Sequence, residues 1–517
     1  MIRSFFSVGG LTLVSRVLGF VRDLLMARFL GAGMAADAFV IAFKLPNLFR
    51  RLFAEGAFSA AFVPLFADRL GLNPGDAERR DARAFAEQAL AVLLPALIVL
   101  TALAEMFTPA IIWLLTGGFR DDDPAKTALA VELTRLTFPY LLSISLVALF
   151  GGVLNGLGRY AAFAAAPILL NLVLVTALIW RHDDTVTTAR ALAAGLSIAG
   201  VVQLLFIAIA AHRAGFGLRL RVPRLSPPVR RLLANMGPVA LGAGVMQINL
   251  LVDVVLASRF LGEGALSFLY YADRLNQLPL GVIGIAVGTV LLPSITRALS
   301  DGDEALGLDR LNRGLEFALV LTVPAALALA LAPDAWLRPI YQHGAFTPAD
   351  TAATAAALTA YAVGLPAYVL VKVLTPACYA RQDTRTPVAV SMAAVAVNVT
   401  LNLALIGPLA HAGLALATAI AAWANALVLL AILVRRGHYR PDARLARTLP
   451  RLALAAAAMG AAVYALAAWI GAPEAKLDQA LAAALLVAAG LGLYGVGLLA
   501  TGAVRPGELR ALLRRRG

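Results

Sequence analysis

Apolar runs of roughly 20 residues or more recur from one end of this chain to the other, with polar residues gathered into short stretches between them. That is the length a helix needs to cross a hydrocarbon core about 30 Å thick; strands of a membrane barrel would read as shorter, alternating segments. The pattern predicts fourteen helices, over residues 5–31, 36–65, 88–115, 128–155, 161–180, 190–212, 233–260, 266–296, 314–340, 351–379, 387–407, 411–434, 449–471 and 479–502.

The first two runs break the pattern in one respect. Arg16, Arg22 and Arg28 interrupt GGLTLVSRVLGFVRDLLMARFLGAG, and Lys44, Arg50 and Arg51 interrupt AADAFVIAFKLPNLFRRLFAEGAF. Each Arg or Lys near a helix centre costs about 2.5 to 3.5 kcal/mol on insertion scales, so these side chains are expected to face a polar cavity rather than lipid. Such a cavity would be positive and its cargo an anion.

Composition sharpens the class. Of the 517 residues 61% are hydrophobic and 14% charged, and mean hydropathy is +0.82, values that exclude an ordinary globular protein. The single cysteine, Cys378, excludes an internal disulfide framework and a thiolate zinc cluster, and reads as a small core residue. Arg16, Arg22 and Asp23 fall where a cleavable signal peptide would have its apolar core and cleavage site, so the N-terminal run is read as the first span. The five histidines lie in or beside predicted loops without metal spacing, and no phosphate-binding Gly-rich loop with Lys-Ser/Thr occurs; the chain is therefore not expected to be an enzyme.

Placing the N-terminus in the cytoplasm puts 28 Lys and Arg in the loops and termini of that side and 6 in the opposite loops, Lys126 among them. The positive-inside rule then predicts both termini inside. The net charge of +14 is a topology signal, and no nucleic-acid partner is expected.

Self-comparison reveals a duplication. ARFLGAG at 27–33 recurs as SRFLGEG at 258–264, VPLFADRL at 63–70 echoes LPSITRAL at 292–299, FPYLL at 138–142 echoes LPAYV at 365–369, and Asn171 echoes Asn398, all at offsets of 227 to 231. Six helices separate the copies, so both enter the membrane in the same direction, a transporter architecture with the substrate site near mid-membrane. The expected fold is thus an all-α multi-pass membrane protein: an N-terminal lobe at 1–212, a basic cytoplasmic linker at 213–231, a C-terminal lobe at 232–436, and two additional helices with a basic cytoplasmic tail at 437–517. The two six-helix lobes are parallel and related by a pseudo-two-fold axis. The last two helices carry no cations between Arg451 and Lys476 or between Lys476 and Arg505 and are expected to face lipid or an acyl chain.

On a helix, Ser15, Arg16, Gly19, Arg22 and Asp23 share one polar edge, and Lys44, Asn47, Arg51 and Glu55 follow steps of three or four residues along the second helix. The second half adds Asp273, Arg274 and Lys372. Arg suits a phosphate or diphosphate because its planar fork donates paired hydrogen bonds and stays charged; the competing reading makes these residues structural ion pairs or helix-end side chains reaching the headgroups. A separate set, Asp253, Asn398, Asn402 and Thr418, offers oxygens to a small hard cation such as sodium, the one cofactor considered; hydrogen bonding between helices explains Asn and Thr equally well.

The stretch SRVLGFVRDLLMARFLGAGMAADAFVIAFKLPNLFRRLFAEGAFSAAFVP at 15–64 closely resembles the MurJ/MviN family, supported by YYADRLNQLPLGVIGIAVGTVLLPS at 270–294 and extending along nearly the whole chain. The resemblance implies a member of the multidrug/oligosaccharidyl-lipid/polysaccharide exporter superfamily that flips lipid II, the undecaprenyl-diphosphate-linked peptidoglycan precursor, across the bacterial inner membrane. The residues matching the family's cavity positions are Ser15, Arg16, Arg22, Asp23, Asp37, Lys44, Asn47, Glu55, Ser267, Asp273 and Arg274. Asn402 stands where a carboxylate would bind sodium better. The implied partners are lipid II, membrane lipids and other cell-wall synthesis proteins, and the duplicated lobes suit a monomer. The rivals are a flippase for another lipid-linked oligosaccharide, a multidrug antiporter, which would need an acidic cavity, and a membrane enzyme acting on lipid diphosphates, which would need a base or metal carboxylates.

Overall fold

A computed structural model of the protein describes residues 2–71, 75–119, 123–286, 292–471, 473 and 475–504, leaving aside some side chains within that range. Among the described residues every regular element is a helix. In chain order these are α1 (Ile2–Leu30), α2 (Met34–Phe49), a π-helical segment (Arg50–Phe58), α3 (Ser59–Leu70), α4 (Asp76–Thr116), α5 (Pro124–Thr137), α6 (Pro139–Gly156), α7 (Tyr160–Trp180), α8 (Thr185–Arg213), α9 (Pro227–Phe260), α10 (Ala265–Ala286), α11 (Leu292–Ser300), α12 (Glu304–Leu331), α13 (Pro333–Tyr341), α14 (Pro348–Tyr379), α15 (Arg385–Arg435), α16 (Ala443–Ile470) and α17 (Lys476–Ala500).

Each expected span has helix over its described residues, residues 287–291 of the eighth lying outside them. Nine helices among the described residues are long and apolar enough to cross a membrane by that test alone, and the 51-residue α15 consists of two helical segments, because Ala410 (φ 48°, ψ −131°) breaks it after Pro408. The break falls where the sequence left a gap between residues 407 and 411. Spans two and four are each assembled from consecutive helices: α2, the π segment and α3 run on from one another, and α5 passes into α6 at Pro139, whose missing N–H is tolerated at a first helical position.

Contacts divide the chain into two compact units, residues 1–267 with 343–346, and 268–342 with 347–517. The division comes after α9 rather than within the basic linker. Helix α9, expected to open the C-terminal lobe, packs here on the π segment, α3 and α4 of the first unit.

The first unit is built around stacked phenylalanines. Phe62 stacks on Phe58 at 5.0 Å, on Phe66 at 5.6 Å and on Phe85 at 5.4 Å, and Phe66 meets Phe216 edge-on at 5.8 Å. Gly152 and Gly156 let α6 approach this stack: a Cβ at Gly152 would lie 2.8 Å from the Phe62 ring, and one at Gly156 2.5 Å from Phe66. This is the small-xxx-small packing that brings membrane helices close. The linker is anchored to the same unit. Glu87, 2% exposed on α4, accepts from Arg221 Nε at 2.5 Å and from the Arg219 backbone N–H at 3.1 Å, and Ser226 Oγ pairs with Gln88 Oε1 at 2.5 Å.

In the second unit α12, α14 and α15 share a core that includes Leu311, Leu315, Val369, Val373 and Leu429. Helices α16 and α17 attach through α12, with Ala456, Met459 and Leu486 buried and Tyr494 Oη donating to the Val320 carbonyl at 2.8 Å. A polar knot at the end rich in Arg fixes the same helices. Arg313 donates to Glu316 and to Asp442, Arg444 pairs with Glu316 at 3.3 Å, and the buried Tyr439 hydroxyl donates to Asn312 Oδ1 at 3.1 Å. Burial, reinforced by the Asp442 charge, pushes the Tyr439 phenol up to about 12. Outward, Leu454, Tyr464, Trp469, Leu481 and Leu491 of α16 and α17 are exposed, as suits helices bathed in lipid.

Candidate functional site in the first two helices

Two buried polar centres hold α1 and α2 in place. At the first, Arg22 and Asp23 are only 7% and 4% exposed. Arg22 donates to Asp23 Oδ1 from Nε at 3.1 Å and from Nη2 at 2.7 Å, and its Nη1 donates to Asn171 Oδ1 of α7 at 3.1 Å. Asn171 turns its amide nitrogen to the Ser15 carbonyl at 2.9 Å, so one side chain of α7 reads both the guanidinium and the backbone of α1. The guanidinium carbon lies 5.7 Å from the Phe43 ring centroid of α2. An ion pair with its charge compensated and its donors engaged is the form in which a buried Arg is tolerated inside a bilayer.

At the second centre Asp37, 1% exposed near the start of α2, accepts four hydrogen bonds. They come from Lys126 Nζ of α5 at 2.8 Å, the Gly264 N–H at 2.8 Å, and Ser267 through its N–H at 2.9 Å and its hydroxyl at 2.7 Å. Glu263 adds a bond from the Met34 N–H at 2.6 Å. The carboxylate of Asp37 therefore ties α2 to α5 and to the turn between α9 and α10.

The remaining cations are more open. Arg16 and Arg51 are exposed, Lys44 and Asn47 half-buried, and Asn47 Oδ1 accepts from Arg50 Nε at 2.9 Å. The π segment changes the expected stripe: its i→i+5 bonding takes more residues per turn than an α-helix, so the three- and four-residue steps from Lys44 no longer stack beyond Arg50. The Glu55 side chain lies outside the described residues. In the second unit, half-buried Asp273 accepts from Gln277 Nε2 at 2.5 Å, half-buried Arg274 has its guanidinium carbon 4.9 Å from the Tyr270 ring centroid, and Lys372 is exposed.

A family model described as "Lipid II flippase MurJ" matches residues 26–472, which is most of the chain. The chain belongs to the MurJ family. Among MurJ relatives, the protein of Rhizobium meliloti (strain 1021) named "Probable lipid II flippase MurJ" is 46% identical over 92% of this chain and 88% of its own length. The "Lipid II flippase MurJ" of Burkholderia cenocepacia is 36% identical over 94% and 95%. A solved MurJ structure in an inward closed conformation shares the fold at TM-score 0.78 and 24% identity, covering 95% of this chain and 97% of that one. An inward-facing multidrug MATE transporter shares it at TM-score 0.66 and 16% identity, over 83% and 97%. MurJ membership places the chain among multi-pass membrane transporters rather than enzymes.

The expected polar edge of α1 thus splits. Ser15, Arg22 and Asp23 join in one network with Asn171, whereas Arg16 is exposed. Asp37 and Ser267, separated by 230 residues, meet directly. Two members of these centres carried no site signal in the sequence: Asn171 stood out only as a repeat match, and Lys126 only as a loop cation. A lone Asn amid the apolar run of α7 is the one cue that could have exposed the first.

Asn398, Asn402 and Thr418 of the proposed cation set hydrogen-bond to one another: Asn402 Nδ2 donates to Asn398 Oδ1 at 2.9 Å, Asn398 Nδ2 to Thr418 Oγ1 at 3.2 Å, and Thr418 on to the Leu414 carbonyl at 3.0 Å. Asp253 is half-buried on α9 of the first unit. Among the described residues no group of three His, Cys, Asp or Glu converges. Asn398 Oδ1 and Thr418 Oγ1 thus already accept hydrogen bonds within this set.

Proposed function

We propose that this protein flips lipid II from the cytoplasmic to the outer leaflet of the bacterial inner membrane by alternating access, with both termini in the cytoplasm. The observation that carries the reading is the row of cations inside α1 and α2 of a chain that matches the MurJ family over residues 26–472. Arg16, Lys44 and Arg51 supply donors for the diphosphate in a basic cavity, while Arg22, held by Asp23 and Asn171, keeps α1 rigid against α7. A planar guanidinium matches diphosphate oxygens in pairs. Asp273 and Arg274 extend the same polar chemistry in the second half of the repeat. The polyprenyl tail stays in lipid along the apolar faces of α16 and α17. A membrane potential negative inside favours outward movement of an anion by about 2.3 kcal/mol per charge per 100 mV.

The basic character of the site separates this reading from a multidrug transporter of the same fold, which would attract cationic drugs with carboxylates. The test is the outer-leaflet fraction of lipid II in cells depleted of the protein, read with a membrane-impermeant enzyme that cleaves exposed precursor. Exposure collapses on depletion and returns with the wild-type chain if the reading is right; unchanged exposure sinks it.

A further inference from the structure

The end of the first unit that carries Arg159 and Arg213 contains a cavity of about 490 Å³, where α6 ends, α7 begins and α8 finishes. Arg159 and Arg213 line it, and no acidic residue does. Among the described residues neither guanidinium makes a side-chain hydrogen bond or ion pair with protein. Its wall includes Tyr160, Phe206 and Ile209, which are 48%, 38% and 51% exposed. The apolar wall faces outward from helices that are themselves membrane spans. The positive-inside rule assigns this end to the cytoplasm, where the leaflet is anionic.

We propose that this cavity binds the phosphodiester headgroup of an anionic phospholipid of the inner leaflet. The two guanidiniums take the phosphate, the Tyr160 hydroxyl sits at headgroup level, and the acyl chains run down past Phe206 and Ile209. Charge complementarity selects the occupant: two unpaired arginines above an apolar wall match an acidic headgroup joined to hydrocarbon, and they offer a zwitterionic headgroup nothing for its cation. The linker that follows Arg213 repeats the chemistry. Leu220 and Val222 are 70% and 73% exposed beside the exposed Arg219 and Arg224, a pattern that lies on an anionic surface with its apolar side chains dipped in. The site is separate from the polar centres of α1 and α2, so a bound phospholipid would anchor α7 and α8 in the leaflet without occupying the transport site.

The experiment titrates purified full-length protein with dioleoyl-phosphatidylglycerol and, separately, with dioleoyl-phosphatidylcholine, counting bound lipids by native mass spectrometry. Arg159→Gln with Arg213→Gln is expected to weaken the tightest phosphatidylglycerol binding about 30-fold, as the loss of two interfacial charges implies. Arg159→Lys with Arg213→Lys retains most of it, and the control Arg385→Gln, an exposed cation of the second unit that the positive-inside rule also assigns to the cytoplasmic side, leaves it unchanged. A matched thermal midpoint for all variants shows that folding is intact. Equal phosphatidylglycerol binding by wild type and the double Gln variant overturns the proposal. So does equal binding of phosphatidylcholine, or displacement of the lipid by millimolar inorganic phosphate, which would make the cavity a site for a free anion.

Discussion

Lys126 Nζ lies 2.8 Å from Asp37 Oδ2, both side chains almost wholly buried, and the same carboxylate accepts three more hydrogen bonds from Gly264 and Ser267. Removing one partner of such a pair leaves an uncompensated buried charge, which typically costs about 3 to 5 kcal/mol. Asp37→Ala is therefore expected to lower the thermal midpoint of detergent-purified protein sharply. Asp37→Ala with Lys126→Met should recover part of that loss, because the second change removes the stranded cation. Additive losses in the double mutant would show that the two charges do not interact.

The Arg22–Asn171 contact separates a fixed positive charge from a merely basic side chain. Arg22→Lys keeps the charge but cannot donate to Asp23 and Asn171 in the same planar fork, so α1 loses its tie to α7. Outer-leaflet exposure of lipid II in complemented cells should fall at least about tenfold with Arg22→Ala and less with Arg22→Lys. That grading follows if a lost charge-assisted hydrogen bond costs about 1.5 to 3 kcal/mol. Asn171→Leu, which leaves every charge in place, is expected to reduce exposure at unchanged protein level. Full activity in Asn171→Leu would mean that the positioning of Arg22 does not matter.

How legible these centres were depends on whether their parts share a helix. Arg22 and Asp23 announced themselves because a charged residue in an apolar run violates the pattern that defines the run. The span boundaries were readable for the same reason, down to the break near Ala410, where Gly407 and Pro408 end a helix in the sequence as in the structure. Lys126 was not readable: in a polar loop a cation violates nothing, and its burial is created by α2 packing on α5. The assignment of α9 to the first unit was equally hidden, since duplication records ancestry whereas packing depends on which faces meet. The π segment escaped because Arg50–Phe58 has the composition of an ordinary helix.

Glu87 makes the linker a strap rather than a free tether. Its carboxylate, 2% exposed, holds Arg221 and the Arg219 backbone against α4. Glu87→Gln removes the charge while keeping the shape, so the ionic part of its pairing with Arg221 is lost. Trypsin should then cut after Arg219, Arg221 or Arg224 about 5- to 20-fold faster than in the wild type, as local opening becomes less costly by about 1 to 2 kcal/mol. Fragment masses identify the site, and an unchanged cleavage rate would place the linker's protection elsewhere, in the burial of Phe216.

Asp383, in the turn between α14 and α15, has its carboxyl lowered to about 2 by hydrogen bonds from the Thr386 side chain and backbone, with Arg436 Nη1 at 2.6 Å adding to the effect. A depressed folded-state value means that the ionised form is preferred in the native protein. The stabilisation it gives is complete above the ordinary value of 3.8 and fades as pH falls toward 2, when the folded carboxyl also takes up its proton. The thermal midpoint of the wild type should therefore exceed that of Asp383→Asn by a constant margin between pH 8 and pH 5. The margin should narrow between about pH 4 and pH 2, where the unfolded form binds more protons than the native one. Because the group is partly exposed, the margin is small and shrinks with added salt. A difference that persists unchanged at pH 2.5 would show that the Asn substitution acts through the shape of the turn and not through charge.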